Sequence, residues 1–299
     1  MPKNMRMEMN RALTLLLLLG VVLGLGETRL AAQAAPPEYL EQFPAHHVIG
    51  NIYFVGSKSL GIYLITTKQG HILINAGLNE SVPGIRRSVE ELGFQFSDIK
   101  ILLISHAHFD HDAGAAEIKR LTGAKYMVMD ADVPVVESGG HKDFAYGNRK
   151  EMLYPAAKVD RVLHDGDTVT LADAVLTAHL TPGHTRGCTT WTMEVMGGGK
   201  NYNAVFVGGP NVNDGYNLVT SPSYPGIASD YEKTFRVLRS LKCDIFLGAH
   251  GDYYDMESKY RHIGKGTNPF IDPAGYKNYV YDRERAFLAE LQRQKSNGR

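Results

Sequence analysis

Three histidines and an aspartate fall within six residues, in the segment His106-Ala107-His108-Phe109-Asp110-His111. Neutral imidazole nitrogens and a carboxylate oxygen are donors that zinc accepts at about 2.0–2.2 Å. In an irregular loop, His106 and His108 two apart, Asp110 two further on and His111 beside it can aim at two neighbouring metal positions. A lone His-x-His is more often a surface or core pair than a ligand set. Four donors directly after an apolar run and ahead of a helical pattern point to a metal centre, and a catalytic centre needs further ligands from elsewhere. His184, in Thr181-Pro182-Gly183-His184-Thr185, and His250, in Gly248-Ala249-His250-Gly251, stand at expected strand ends beside glycines. Glycine lets the backbone approach a crowded centre. The other seven histidines (His46, His47, His71, His141, His164, His179 and His262) read as structural or solvated.

The elements that must position these donors follow from periodicity. Ile52–Val55, Tyr63–Thr66 and His71–Ile74 are β-branched and aromatic runs separated by turn residues, the pattern of strands. Ser81–Leu92 carries Ile85, Val89 and Leu92 at helical spacing, with Gly93 as its stop. Ile99–Ile104 is nearly continuous in apolar residues and predicts a strand buried on both faces, ending at the histidine segment. Asp112 is then expected to cap a helix over Ala113–Thr122 that Gly123 closes. Further strands are expected at Tyr126–Met129, Val159–Leu163, Thr168–Leu171, Val175–Leu180, Thr189–Val195, Ala204–Val207 and Asp244–Leu247. Helices are expected near Tyr231–Leu241 and from Asp272-Pro273 onward, an N-cap followed by proline at the first helical position. Val133–Tyr154 and Pro210–Gly226 lack periodicity, and long irregular segments within a domain are often functional loops. No repeat or low-complexity linker divides the chain, so strand groups with intervening helices predict one α/β domain of sandwiched layers.

The first 34 residues read as an export signal. Lys3, Arg6 and Arg11 precede an apolar run over Ala12–Gly26, and Ala32-Gln33-Ala34 offers a small-x-small cleavage site after Ala34. That run suits a signal-peptide core of roughly 7–15 residues better than a membrane span. Residues 35–299 would then form the domain, in the periplasm and with no membrane attachment. They hold 28 basic and 30 acidic residues, a balance unlike the basic excess of nucleic-acid-binding proteins. Cys188 and Cys243 are too few for a disulfide framework and read as buried thiols.

An H-x-H-x-D-H segment after a buried strand, T-P-G-H-T, and a later strand-end histidine together resemble the metallo-β-lactamase superfamily, from about Val48 to Tyr279. The resemblance implies a four-layer αβ/βα sandwich with the metals at one edge of two sheets. In the glyoxalase-, lactonase- and ribonuclease-like branches, an aspartate that bridges both metals ends the strand after the third histidine. Here that stretch reads Val205-Phe206-Val207-Gly208-Gly209-Pro210. The cysteine ligand of subclass one β-lactamases is also missing, since Cys188 comes too early, and His106 stands where subclass two has asparagine. What remains is most similar to class B β-lactamases of subclass three (B3). Asn75-Ala76-Gly77-Leu78, Gly187-Cys188-Thr189 and Tyr224-Pro225-Gly226 add to the likeness. Ala76 departs from it, standing where many relatives carry threonine, a change expected to touch ligand support rather than ligand identity.

The resemblance implies two zinc ions per subunit, the first held by His106, His108 and His184, the second by Asp110, His111 and His250. Three imidazoles leave the first zinc an open, catalytic position. A water bridging two such ions is largely hydroxide at neutral pH. The expected reaction is attack of that hydroxide on the β-lactam carbonyl of a penicillin, cephalosporin or carbapenem. Asp110 would orient the nucleophile, and the second zinc would stabilise the departing amide nitrogen. No serine nucleophile in an S-x-x-K setting is present before a helix. Asn211 and Asn213 are the candidate substrate contacts, although two turn-forming asparagines before Asp214-Gly215 would look the same. Phe144 and Tyr146 either wall the cleft or pack onto the domain. The partner is a small-molecule substrate and the expected state a monomer. The competing readings are a lactonase- or thioesterase-like hydrolase of the same fold, and a zinc-binding protein without catalysis.

Overall fold

A computed structural model describes residues 35–298, so the export signal expected over residues 1–34 lies outside the described residues. Strands β1 (His46–Ile49), β2 (Ile52–Phe54), β3 (Tyr63–Thr67), β4 (Gly70–Ile74), β5 (Ile99–Leu103), β6 (Lys125–Met129) and β7 (Arg161–Leu163) form one sheet in chain order. Its first three pairings are antiparallel and its last three parallel. The second sheet runs β12-β11-β10-β9-β8, from β8 (Thr168–Leu171), β9 (Ala174–Leu180), β10 (Thr189–Gly197), β11 (Lys200–Val207) and β12 (Ile245–Gly248). Only β11 and β12 pair in parallel there. Helices α1 (Val82–Glu91), α2 (Phe109–Asp112), α3 (Ala115–Thr122), α4 (Val133–Val136), α5 (Ile227–Ser240), α6 (Met256–Arg261) and α7 (Pro273–Ser296) complete the chain.

Alternation of side chains along the strands builds the layers. In β4, Ile72 and Ile74 enter the core that lies against the second sheet, while Leu73 joins the cluster under α1 and α3. Ile101 and Leu103 of β5 divide from Leu102 in the same way. A strand with an apolar layer on each face is apolar on both, which is why β5 reads as a nearly continuous run broken only by the exposed Lys100 at its start. On the other side, Tyr231, Phe235, Tyr276, Val280 and Phe287 of α5 and α7 belong to one cluster with Val205, Val207 and Leu247. The result is helix, sheet, sheet, helix, the expected four-layer sandwich. Trp191, 1% exposed, crosses between the sheets and donates its indole N–H to the Ile104 carbonyl at 3.0 Å. The Thr189 N–H reaches Ser105 at 2.7 Å, so β10 is tied to the chain just before His106. Among the described residues, no helix is long and apolar enough to cross a membrane.

The structure departs from the sequence reading in three places. Asp112 is not a helix cap: it ends the single turn α2, is 1% exposed, and accepts the Tyr126 hydroxyl. The chain bends at Gly114, where a side chain would strike the Ala76 carbonyl at 2.3 Å, and α3 starts only at Ala115 without a side-chain cap. β10 and β11 run on through Lys200-Asn201-Tyr202-Asn203 into a hairpin turned by Gly198 and Gly199, both with positive φ. Polar residues at a sheet end hide these extensions from an apolar criterion, while paired left-handed residues are what a two-residue hairpin demands. The sequence reading has no counterpart for β1, α2, α4 or α6, all of them short.

Candidate metal centre

Each part of the site leaves the carboxyl end of a strand: residues 106–111 after β5, His184 after β9 and His250 after β12. Ligand sites of open α/β sheets gather at that edge. Asn75, in a left-handed conformation at φ 69°, fixes the first of these exits. Its Oδ1 accepts the Ser105 N–H and hydroxyl at 2.8 and 2.6 Å, and its Nδ2 donates to Gly61 at 2.8 Å. The Ala76 N–H holds the His111 carbonyl at 2.8 Å. Position 76 thus supports the ligand loop through its backbone, which fits a small side chain there.

Two donor groups result. The nitrogens of His106, His108 and His184 converge within 4.8 Å of one another, with ring centroids 4.5–4.8 Å apart. Beside them, Asp110 Oδ2 lies 3.3 Å from His111 Nε2 and 3.5 Å from His250 Nε2, and those two nitrogens are 3.1 Å apart. Donors about 2.0–2.1 Å from a tetrahedral ion stand roughly 3.3 Å from one another, so this triangle has the edge lengths of one face of a zinc coordination shell. His106 also lies within 4.8 Å of Asp110 and His111, so the two groups adjoin. The remaining histidines lie outside these groups: His179 bonds Thr192 at 2.8 Å within β9 and β10, and His164 pairs with Asp130 at 3.1 Å.

The electrostatics suit a cation. Both ring nitrogens of His106 and the Nδ1 of His111 are buried without a hydrogen-bond partner, a costly state unless something else takes the lone pairs. Burial pushes His106 well below the ordinary histidine value, reinforced by His111 and His184. Burial takes His108 down to about 4 and His184 and His250 to about 3. These imidazoles are neutral at pH 7, the form that binds metal. Burial alone would raise Asp110, but the His111, His250 and His108 imidazoles hold it far below the carboxylate range, so it is ionised. Three imidazoles in one group and two imidazoles with a carboxylate in the other are donor sets that zinc accepts.

Surrounding residues orient the donors. His184 donates Nδ1–H to the Asn211 carbonyl at 2.8 Å, leaving Nε2 free to coordinate. Tyr231 bonds the same carbonyl at 2.7 Å. The Asn211 side chain donates to Tyr253 at 3.2 Å, and Asn213 to the Tyr146 hydroxyl at 2.9 Å. Both asparagines therefore lie beside the centre, each with one amide N–H already engaged, and Asn211 supports His184 through its carbonyl. Tyr146 walls the cleft, its ring 5.2 Å from that of His108, whereas Phe144 packs between Tyr216 and Tyr224.

Several contributors carry no sequence motif. Tyr216 donates to the His184 carbonyl at 2.8 Å, with its hydroxyl 3.5 Å from His108 Nε2. Asp143 lies 3.7 Å from that same nitrogen. Tyr39, from the segment leading into β1, lies with its ring 5.9 Å from His250 and 6.5 Å from Phe109. The one available signal was the length of the irregular segments 133–154 and 210–226, which supply Asp143, Tyr146 and Tyr216.

Gly209 explains the missing carboxylate after β11. A Cβ there would stand 2.8 Å from His184 Cδ2 and 3.4 Å from His106 Cε1. The imidazoles occupy the space into which a longer side chain would project.

Comparison with known proteins agrees with this geometry. The sequence profile of the metallo-β-lactamase superfamily matches residues 62–197. The native FEZ-1 metallo-β-lactamase from Legionella gormanii is 53% identical, over 85% of this chain and 98% of that one, with a TM-score of 0.84. BJP-1, a subclass B3 metallo-β-lactamase of Bradyrhizobium japonicum, is 37% identical over 88% and 98%, with a TM-score of 0.82. A hydroxyacylglutathione hydrolase of Methylobacterium nodulans is 29% identical over 37% of this chain and 34% of its own length. The matched stretch spans about a third of the length of the curated relatives.

Proposed function

We propose that this chain, which belongs to the metallo-β-lactamase superfamily, is a two-zinc β-lactamase of the B3 kind that opens the lactam amide of penicillins, cephalosporins or carbapenems. The observation that carries the reading is the division of six donors into His106, His108, His184 and Asp110, His111, His250, with glycine at 209 and no room there for a bridging carboxylate. Bound to these groups, zinc supplies Lewis-acid polarisation of the scissile carbonyl and acidifies water so that it attacks at neutral pH.

The chain's own residues do the rest. Asp110, ionised among imidazoles, accepts a hydrogen bond from the attacking water and so aims it. Tyr146, against the ring of His108, and Tyr39, against that of His250, flank the two donor groups and limit the access of bulk water to the reacting bond. Asn213, bonded to the Tyr146 hydroxyl on the 210–226 loop, would exchange that bond for one to the substrate's carboxylate. Asn211 fixes His184 through its backbone carbonyl, with its side-chain amide held by Tyr253. Residues 1–34 would direct export and be removed near Ala34, leaving a monomeric periplasmic domain.

The test is hydrolysis of a penicillin, a cephalosporin and a carbapenem by metal-counted protein, with a lactone and a thioester as controls. Turnover of at least one β-lactam, with two zinc ions bound, loss on chelation and recovery with zinc, is the expected result. Turnover of the lactone or thioester alone, at full metal content, would overturn the β-lactam reading.

A further inference from the structure

A buried carboxylate that belongs to neither donor group joins the two loops of the three-imidazole group. Asp132 lies just after β6 and is 1% exposed. Its Oδ2 accepts the Ala107 N–H at 3.0 Å and the Thr185 hydroxyl at 2.7 Å, and its Oδ1 accepts the Gly187 N–H at 2.8 Å. Ala107 separates His106 from His108, and Thr185 follows His184. The other polar group of Ala107, its carbonyl, accepts the Tyr154 hydroxyl at 2.7 Å. The link between the two histidines is thus held on both sides. Gly187 packs directly against this carboxylate, since a Cβ there would stand 2.7 Å from the Asp132 carboxyl carbon.

A carboxylate in the interior is costly unless every neighbour repays it with a hydrogen bond. All three donors that Asp132 receives come from the loops bearing His106, His108 and His184. It makes no bond to the Asp110, His111 and His250 group, whose His111 carbonyl is held instead by Ala76. Asparagine cannot replace it, because one side of its amide offers only N–H donors to groups that are themselves donors.

We infer that Asp132 is the positioning residue of the first metal: it sets the distance between the His106–His108 loop and His184, and so tunes that ion's binding selectively over the second. The inference rests on the two-zinc reading of the site.

The experiment is a cobalt(II) titration of metal-free protein, following the ligand-field absorption of each site, for wild type, D132N, T185V and T185S. Wild type is expected to bind two ions. Losing such a supporting bond lowers metal affinity by about 10–100-fold, and D132N should show that loss at the three-imidazole site with a shifted absorption there. The second site should keep its wild-type affinity. T185V should weaken the same site by a smaller factor, and T185S, which keeps the hydroxyl, should restore it. Equal loss at both sites, or no loss at either, would overturn the inference. Should D132N fail to fold, the Thr185 pair decides: a selective loss in T185V restored by T185S supports it, and identical behaviour of the two overturns it. A wild-type protein that takes up no cobalt overturns the two-metal reading itself, and this inference with it.

Discussion

His46 makes the protein sensitive to acid, and the size of the effect follows from its surroundings. The side chain is 7% exposed, stacked 5.0 Å from Phe54 and 5.7 Å from Phe270, with Nδ1–H donated to the Pro44 carbonyl at 2.8 Å and Nε2 buried without a partner. Burial pushes its pKa down to about 4, against the 6.5 of an unperturbed imidazole. Between those values the unfolded chain binds a proton that the folded chain refuses. Stability is therefore fully present above pH 6.5 and lost as the pH falls toward 4. From pH 7.5 to 4.5 this one group should cost about 2.5 kcal/mol. The perturbation is H46F, which keeps the aromatic packing and removes the titration. The assay is urea unfolding in chelator, so that metal release plays no part, followed by the emission of Trp191, the chain's one tryptophan. With a denaturant slope of about 3 kcal/mol per M for a domain of this size, the acid-induced fall in midpoint should be roughly 0.8 M smaller in H46F than in wild type. Equal falls in the two proteins would refute the assignment of a buried, neutral His46.

Two further substitutions probe the frame of the metal centre. G209A places a Cβ 2.8 Å from the His184 ring, which cannot yield freely because its Nδ1 is bonded to Asn211. Hydrolytic kcat should drop by about 10–100-fold, the usual result of misplacing a catalytic group by up to an ångström, while the melting temperature of metal-free protein changes little; unchanged kcat would show that His184 has room to move. W191F leaves the Ile104 carbonyl without its indole donor and opens a void between the sheets. It should cost about 2–4 kcal/mol. Circular-dichroism melting should show this as a fall of roughly 5–10 °C, and a fall below about 2 °C would mean that the void closes and the carbonyl finds another donor.

The parts of this protein that were legible in its sequence are those in which one residue type admits few roles. His106, His108, Asp110 and His111 are chemically unusual together, and β5 is apolar on both faces because it has a layer on each side. Asp272 before Pro273 has the pattern of a cap and does accept the Gly275 N–H. Asp112 has the same pattern and obeys another rule. A carboxylate before a helical pattern can bond the helix or turn inward, and the partner that decides the matter, Tyr126, is 14 residues away. The same limit hid Asp132, Asp143, Tyr154 and Tyr216. Each acts through a partner on another loop, so nothing within a local window distinguishes it from an ordinary polar residue.

Gly209 turns a missing carboxylate into a feature of the packing around His184. In the sequence, the stretch Gly208-Gly209-Pro210 counts only as a missing carboxylate, and an absence can always be compensated from another loop. In the structure the position is filled. His184 and His106 occupy the volume a Cβ would need, and His184 is pinned there by Asn211, whose carbonyl is held in turn by Tyr231. An aspartate at 209 would have to displace a first-group ligand in order to bridge the two groups. The second group already holds three donors without it, His250, Asp110 and His111. Glycine at 209 and the Asn211 bond are therefore one structural solution that seats His184, and changing either alone should disturb the other.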